Sequence, residues 1–328
     1  MIATARRRVP TARPAPSPEM VEVVRRGLTA TPRALPPWLF YDARGSALFE
    51  DITRLPEYYL TRAEREIFAT QGGAILDAAA PDPRTAIVEL GAGTASKTRL
   101  LLGEQLRRHG AARYVPIDVS ASALAIATAE LAAELPTLEV EPWASSTEAA
   151  MPRLAAMAGP KAVLFIGSSI GNYDHPEAIA LLRGVRDAVA AGDTLVLGTD
   201  LRKDPAVMVP AYDDRRGVTA AFNLNLLARL NRELDADFDL ARFRHVAVWN
   251  AARSRIEMHL ESVVEQRVHV GALELVVEFA AGERLHTESS VKYDLGLVDE
   301  IVGAAGFGRI ATFTDGGGRF AVHVARAR

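Results

Sequence analysis

The sequence predicts an α/β protein built on a doubly wound, mostly parallel sheet. Three observations carry this. The run Ile87-Val88-Glu89-Leu90-Gly91-Ala92-Gly93-Thr94-Ala95-Ser96-Lys97-Thr98 reads as a short buried strand, a glycine turn and the start of a helix. From Arg84 onward, short apolar segments alternate with helical ones, the rhythm of parallel strands joined by helices. The chain closes on two strand-like segments, 310–314 and 320–325, joined by Asp315-Gly316-Gly317-Gly318, a strong hairpin turn.

The elements follow in order. From 21 to 68 the pattern is helical, broken at Pro36-Pro37 and at Pro56-Glu57-Tyr58-Tyr59. Strands are expected at 86–90, 114–117, 138–140, 162–166 and 194–198, with helices between them, including 121–135 and 175–190. The rhythm then changes. Residues 204–234 read as helical from Pro205, and 255–279 as mostly strand. Ile256, Met258 and Leu260 alternate with Glu257, His259 and Glu261, which buries one face and wets the other. This block is an insertion that adds a second lobe. After Lys292 the α/β rhythm returns, with a helix at 299–305 before the terminal hairpin.

The glycine turn carries the chemistry. Gly91 and Gly93 let the backbone approach a ligand closely, and the helix behind them offers unpaired N–H groups and a positive dipole end. The second strand ends in Asp118, an acceptor suited to ribose hydroxyls. The third glycine of the dinucleotide fingerprint would fall at Ser96, so that motif is incomplete. Glu89 at the end of the first strand, Gly-x-Gly, and an acidic end to the second strand suit S-adenosylmethionine (SAM), which has no pyrophosphate to cradle. On these residues alone, another nucleotide and a purely structural turn stand as alternatives. A parallel sheet closed by an antiparallel hairpin is typical of class I methyltransferases and weighs toward SAM.

Composition narrows the field. The 328 residues allow one large or two modest domains, and a net charge of −3 gives no reason to expect nucleic acid. The absence of cysteine excludes disulfides, thiolate zinc sites and cysteine nucleophiles. The segment before Val21 holds Arg6-Arg7-Arg8, Arg13 and several prolines and lacks the apolar core of a signal peptide. It reads as a disordered tail over 1–19. A mitochondrial transit peptide is the alternative, since no acid precedes Glu19. With no membrane-length apolar run, a cytoplasmic protein is expected. The histidines, His259 and His269 among them, show no metal-ligand spacing, and Asp213-Asp214-Arg215-Arg216 reads as a solvated turn, so no metal is expected. A monomer is the default.

Longer motifs add specificity: Trp38-Leu39-Phe40-Tyr41-Asp42, Ile52-Thr53-Arg54-Leu55-Pro56-Glu57-Tyr58-Tyr59, Gly167-Ser168-Ser169-Ile170-Gly171-Asn172, Ala211-Tyr212-Asp213-Asp214, Ile256-Glu257-Met258 and Thr287-Glu288-Ser289-Ser290. In these motifs the chain resembles the SAM-dependent histidine Nα-methyltransferases of ergothioneine biosynthesis, from about Val24 to the C-terminus. The resemblance implies a class I SAM methyltransferase fold, Rossmann-like, with a seven-stranded sheet ending in an antiparallel hairpin. It also implies an inserted α+β lobe for the substrate. The SAM-binding domain would be 69–201 and 290–328, and the substrate-binding lobe 20–68 and 202–289.

The implied roles are specific. Gly91, Lys97 and Asp118 match SAM-contacting positions. Asn172 and Tyr212 match the pair that holds the substrate carboxylate. Tyr58, Glu288 and Ser290 match positions around the histidine, with Glu288 and Ser290 reading the imidazole. Met258 matches a residue that shapes the side-chain pocket, and Gly167 a backbone position near the amine. One departure concerns the adenine. Where the family has Gly-Asp-Phe after the third strand, this chain has Ser145-Ser146-Thr147. Ser146 and Thr147 are therefore the candidates there. A hydroxyl accepts a hydrogen bond from an adenine amine but carries no charge, so weaker SAM affinity is expected.

Each residue also has an ordinary reading. Asn172 suits a turn, Tyr212 a core helix face, Glu288 a wet strand face, Met258 a plain core and Lys97 a solvated surface. Methyl transfer to an amine needs the amine deprotonated. Tyr58 and water are the candidate acceptors, and Tyr58 also suits packing and hydrogen bonding. Three functions follow from these readings: methylation of the histidine α-amine, methylation of another aromatic amino acid such as tryptophan, and SAM binding without catalysis.

Overall fold

The computed structural model describes residues 17–328. Of the tail expected over 1–19, residues 1–16 lie outside the described residues, while Ser17 caps helix α1 (Pro18–Thr29) by accepting from the Met20 N–H. A 3₁₀ turn (Pro37–Phe40), α2 (Ala43–Thr53) and α3 (Leu60–Ala79) follow. The α/β succession then runs β1 (Ala86–Leu90), α4 (Thr98–His109), β2 (Ala112–Asp118), α5 (Ala121–Glu134), β3 (Leu138–Val140), β4 (Trp143–Ala144), α6 (Thr147–Ala156), β5 (Lys161–Phe165), α7 (His175–Asp187) and β6 (Thr194–Asp200).

After β6 come α8 (Pro205–Met208), α9 (Val218–Glu233), β7 (Phe243–Asn250), β8 (Arg255–Ser262), β9 (Gln266–Val270), β10 (Leu275–Phe279) and β11 (Arg284–Val291). The chain closes with α10 (Leu295–Ala304), β12 (Phe307–Thr314) and β13 (Phe320–Ala327).

The main sheet has the order β12-β13-β6-β5-β1-β2-β3, with β4 paired to β2. Its β1, β2, β3, β5 and β6 pairings are parallel, and β13 is antiparallel to both β6 and β12. This is the predicted α/β sheet with its terminal hairpin. β1, β5 and β6 are buried along their whole length, as expected of strands covered on both faces. Val88, Leu90, Val115, Ile117, Phe165 and Leu197 pack with Leu182 of α7 and Ile301 of α10. The strand order reverses at β1, the switch point at whose carboxyl ends sheets of this kind bind ligands. Gly91, Asp118, Gly167 and Asp200 all lie at those ends.

The structure corrects several expected boundaries. The continuous helix over 204–234 is instead α8, a 3₁₀ turn (Val209–Ala211) and α9. Pro210 cannot donate to a continuing helix, and Gly217 enters α9 with a left-handed φ of 72°. The helix expected at 299–305 starts earlier, because the Asp294 carboxylate caps it by accepting from the Leu297 N–H at 2.9 Å. β6 runs on to Asp200 because β13 pairs with it from Thr194 to Asp200. β7 was not foreseen and is half-buried along most of its length; α6, one of the helices expected between the strands, forms despite containing Pro152.

The chain divides into two compact units. The smaller comprises residues up to Glu50, Arg216–Val246 and Met258–Glu288; the larger comprises Asp51–Arg215, Ala247–Glu257 and Ser289–Arg328. The larger unit contains the main sheet. Within the smaller unit, Phe40 packs on Phe222 with ring centroids 4.5 Å apart, and Phe243 meets Phe279 edge-on at 5.3 Å. β9 and β10 form an antiparallel pair there. Among the described residues no helix is long and apolar enough to cross a membrane.

Candidate active site

The glycine turn of the larger unit is built for a close ligand. Gly91 and Gly93 have φ of 69° and 52°, values that favour glycine. A Cβ at either position would meet nothing within 4 Å, so the space over the turn is open. The N–H groups of Gly91 and Ala92 donate to the Ile117 carbonyl, at 2.8 and 3.1 Å. The Asp118 carboxylate ties the turn to the second strand. Its Oδ2 accepts from Gly93 N–H at 2.9 Å and its Oδ1 from Ser120 N–H at 2.8 Å. Each oxygen retains a further acceptor direction, which suits ribose hydroxyls. Open space at the turn and this acceptor fit SAM.

The serine segment lies against the same strand end, since Ser145 N–H donates to the Asp118 carbonyl at 3.0 Å. Ser146 is the N-cap of α6, and its Oγ accepts from Ala149 N–H at 3.2 Å. The cap uses one lone pair and leaves the hydroxyl proton to donate. Thr147, half-buried, is the first residue of α6.

Beside the turn lies a group of buried charges. Glu64 of α3 is fully buried and forms an ion pair with Lys97. Its carboxylate also accepts from Gly167 N–H at 2.8 and 3.1 Å. Gly198 is required here, because a Cβ there would collide with Glu64. Lys97 is thus an ion-paired lysine with little exposure rather than a solvated one, and its Nζ would sit 3.1 Å from a Cβ on Gly167. Glu89 at the end of β1 takes the Tyr114 hydroxyl. Burial pushes the Glu89 carboxyl up to about 7, against the hydrogen bond from Tyr114 and the charge of Lys97.

The candidate substrate groups of the larger unit form a second cluster. Ser168 takes a left-handed φ of 60°, and a 3₁₀ turn (Ser169–Asn172) follows. A Cβ on Gly171 would lie 3.0 Å from the Val291 carbonyl oxygen and 3.5 Å from Ser290 Oγ, so glycine lets this loop press against the end of β11. Asn172 ends the turn, half-buried. Tyr212 and Ser290 share a hydrogen bond of 2.7 Å between their hydroxyls. Tyr58 packs edge-on against Tyr212 with centroids 6.3 Å apart.

Lys292 donates to the Tyr212 hydroxyl at 2.8 Å and to Ser290 Oγ at 2.9 Å. It also pairs with Asp200 at 2.8 Å, and both charges are fully buried. Lys203 pairs with Asp200 at 2.6 Å, and the Tyr59 hydroxyl donates to the same carboxylate at 2.9 Å. Burial and the Asp200 charge push the Tyr59 phenol well above its ordinary range, and burial lowers Lys203.

Met258 and Glu288 belong to the smaller unit. Met258 is buried on β8, and Thr287 Oγ1 donates to its carbonyl at 3.1 Å, so the two strands lie side by side there. Glu288 is half-buried on β11. Among the described residues, no group of three or more His, Cys, Asp or Glu is placed to hold a metal ion.

The structure therefore brings Gly91 and Asp118 into one assembly, with Ser146 and Thr147 alongside. Lys97 and Gly167 meet at Glu64. Tyr58, Asn172, Tyr212 and Ser290 group around the loop and β11, while Met258 and Glu288 stand on the strands of the smaller unit. Sequence reasoning missed Glu64, Tyr59, Asp200, Lys203 and Lys292. One signal was available for Asp200: it ends a predicted parallel strand, where ligands of such sheets gather.

The family model for SAM-dependent, histidine-specific methyltransferases matches residues 20–327. The chain is 46% identical over 302 residues to the histidine N-alpha-methyltransferase of Mycolicibacterium smegmatis, covering 92% of this chain and 93% of that protein. It is 45% identical over 299 residues to the protein of the same name from Mycobacterium tuberculosis, covering 91% and 92%. Ergothioneine biosynthesis protein 1 of Neurospora crassa is 35% identical over 213 residues, which are 61% of this chain and 23% of that protein. The sheet order, the glycine turn with Asp118, and these matches agree: the chain belongs to the SAM-dependent, histidine-specific methyltransferase family.

Proposed function

We infer that the protein transfers methyl groups from SAM to the α-amino group of L-histidine. The observation that carries this is the family match over 20–327 together with identity of 46% to a histidine N-alpha-methyltransferase. Three successive transfers, giving Nα,Nα,Nα-trimethylhistidine (hercynine) for ergothioneine biosynthesis, complete the reading. In it the enzyme works in the cytoplasm as a monomer. Residues 20–68 and 202–289 serve the substrate, and 69–201 and 290–328 serve the cofactor.

Gly91, Lys97 and Asp118 would hold SAM, with Ser146 and Thr147 at the adenine; bound SAM supplies an electrophilic methyl carbon. The chain must then hold the amine in line with that carbon. Asn172 and Tyr212 take the substrate carboxylate, as neutral donors suited to an anion. Gly167 presents a backbone fixed through its bond to Glu64, and Tyr58 faces the amine. The amine attacks only when neutral, so a proton leaves before each transfer, directly to water or through the Tyr58 hydroxyl, which passes its own proton on to water. Glu288 accepts an imidazole N–H, Ser290 bonds the other nitrogen, and Met258 closes the side-chain pocket.

A competition assay with L-histidine and L-tryptophan tests the substrate. An imidazole offers a nitrogen to each of Glu288 and Ser290, whereas an indole has a single N–H and leaves one of the two without a partner. Methylation confined to histidine is expected. Faster turnover of tryptophan would overturn the histidine assignment while leaving the enzyme class intact.

A further inference from the structure

Lys292 stands outside every role assigned above. It is fully exposed to none of the solvent, with 0% accessibility, as is its partner Asp200. An ammonium group has three N–H donors and no acceptor. Here they reach Asp200 Oδ2 at 2.8 Å, the Tyr212 hydroxyl at 2.8 Å and Ser290 Oγ at 2.9 Å. A hydroxyl that accepts from an ammonium must turn its own proton elsewhere. Lys292 does this to two hydroxyls at once. One of the two hydroxyl protons closes the Tyr212–Ser290 hydrogen bond of 2.7 Å, so the pair has one proton left for an acceptor such as a carboxylate or an unprotonated imidazole nitrogen. Lys292 and Lys203 share the single Asp200 carboxylate, so the cluster carries a net positive charge in a dry interior where charge acts strongly. A buried ion pair is a weak source of stability, so stability alone does not account for its place behind these two side chains.

We propose that Lys292 is a positioning residue. Its ammonium, held by Asp200, occupies a lone pair of each hydroxyl, so that of their two protons one closes the Tyr212–Ser290 bond and the other is directed at the bound amino acid. This rests on the reading of those two hydroxyls as substrate ligands. The backbone fixes the geometry: Lys292 N–H donates to the Ser254 carbonyl at 2.7 Å, and Tyr293 N–H to the Asp200 carbonyl at 2.9 Å. Lys203 and Tyr59 hold Asp200 from other directions, so removing the Lys292 charge does not leave that carboxylate unpaired.

The test is calorimetric titration of L-histidine into protein saturated with S-adenosylhomocysteine, with S-adenosylhomocysteine binding measured in parallel. Lys292→Met removes charge and donors at similar length; Lys292→Gln restores neutral donors. Lys292→Met should weaken histidine binding about tenfold or more, the cost of a lost charge-assisted bond, with S-adenosylhomocysteine affinity within about twofold. Lys292→Gln should fall between. The same Lys292→Met change in a Tyr212→Phe/Ser290→Ala background should alter histidine affinity less than about twofold, because the hydroxyls it acts through are gone. Unchanged histidine binding, or an equal loss in both backgrounds, would overturn the proposal. So would loss of S-adenosylhomocysteine binding in both the Met and Gln variants, which would make Lys292 a purely structural residue. If histidine binding fails even in the parent protein, the fault lies with the substrate assignment and not with Lys292.

Discussion

Glu89 ends the first strand as a buried carboxyl that takes the Tyr114 hydroxyl, and its ionisation is pushed up to about 7, first by burial. The unfolded chain loses that proton near the ordinary carboxylate value of about 4.5, so between there and 7 the folded state holds the proton more tightly. Its contribution to stability is complete at acid pH and is lost as pH rises through 7. Glu89→Gln, which still accepts from Tyr114, should remove this dependence. Thermal melts should show the variant gaining on the parent from pH 5 to pH 8, by on the order of 3 kcal/mol. A difference that does not change with pH would contradict the assignment. At this scale legibility follows sequence distance. The turn Gly91–Gly93 and Asp118 could be read because a strand and a turn are local patterns. Glu64 could not, since its partner Gly167 lies 103 residues away. Nor could Tyr59 with Asp200, separated by 141, or Tyr212 with Lys292, separated by 80.

Among the elements, the turn of the terminal hairpin is held from within by one side chain, while Glu66 of α3 accepts from Gly316 N–H at 2.8 Å. Asp315 is buried, and its carboxylate accepts from Arg319 N–H at 2.6 Å, Phe320 N–H at 2.7 Å and Gly317 N–H at 3.1 Å. Burial opposes its ionisation, but these backbone bonds outweigh burial and hold its carboxyl below the usual range. Asp315→Ala leaves three buried or half-buried N–H groups without their acceptor and should cost about 2 kcal/mol, seen in denaturant unfolding. A change below about 0.5 kcal/mol would show the turn to be held by its strands and by Glu66 and Gln71 of α3 instead. Elements with a strong local pattern were the legible ones: β1, β3, the Asp315–Gly318 turn and α7 lie within a few residues of their expected positions. The helix over 204–234 was misread because its apolar rhythm continues through Pro210 and Gly217, whose backbone demands break it. β7 was missed because a half-buried strand lacks the clean alternation that marks one wet face.

In the whole molecule, the α/β order was visible before any coordinates because parallel strands must be apolar throughout and must alternate with crossover helices. Where that alternation stops, a second lobe is expected; the two compact units each gather three stretches of chain that only folding brings together, which no local pattern announces. Assignment of the activity drew on motifs spread from Trp38 to Ser290, no one of which carries it alone. The central claim is the transfer of methyl groups to the histidine α-amine. Mass spectrometry of the products after incubating the protein with excess SAM and L-histidine tests it most directly. The account predicts that histidine is converted to a species heavier by three methyl groups, with the added groups on the α-nitrogen. Histidine recovered unmethylated, by protein that still binds SAM, would contradict it.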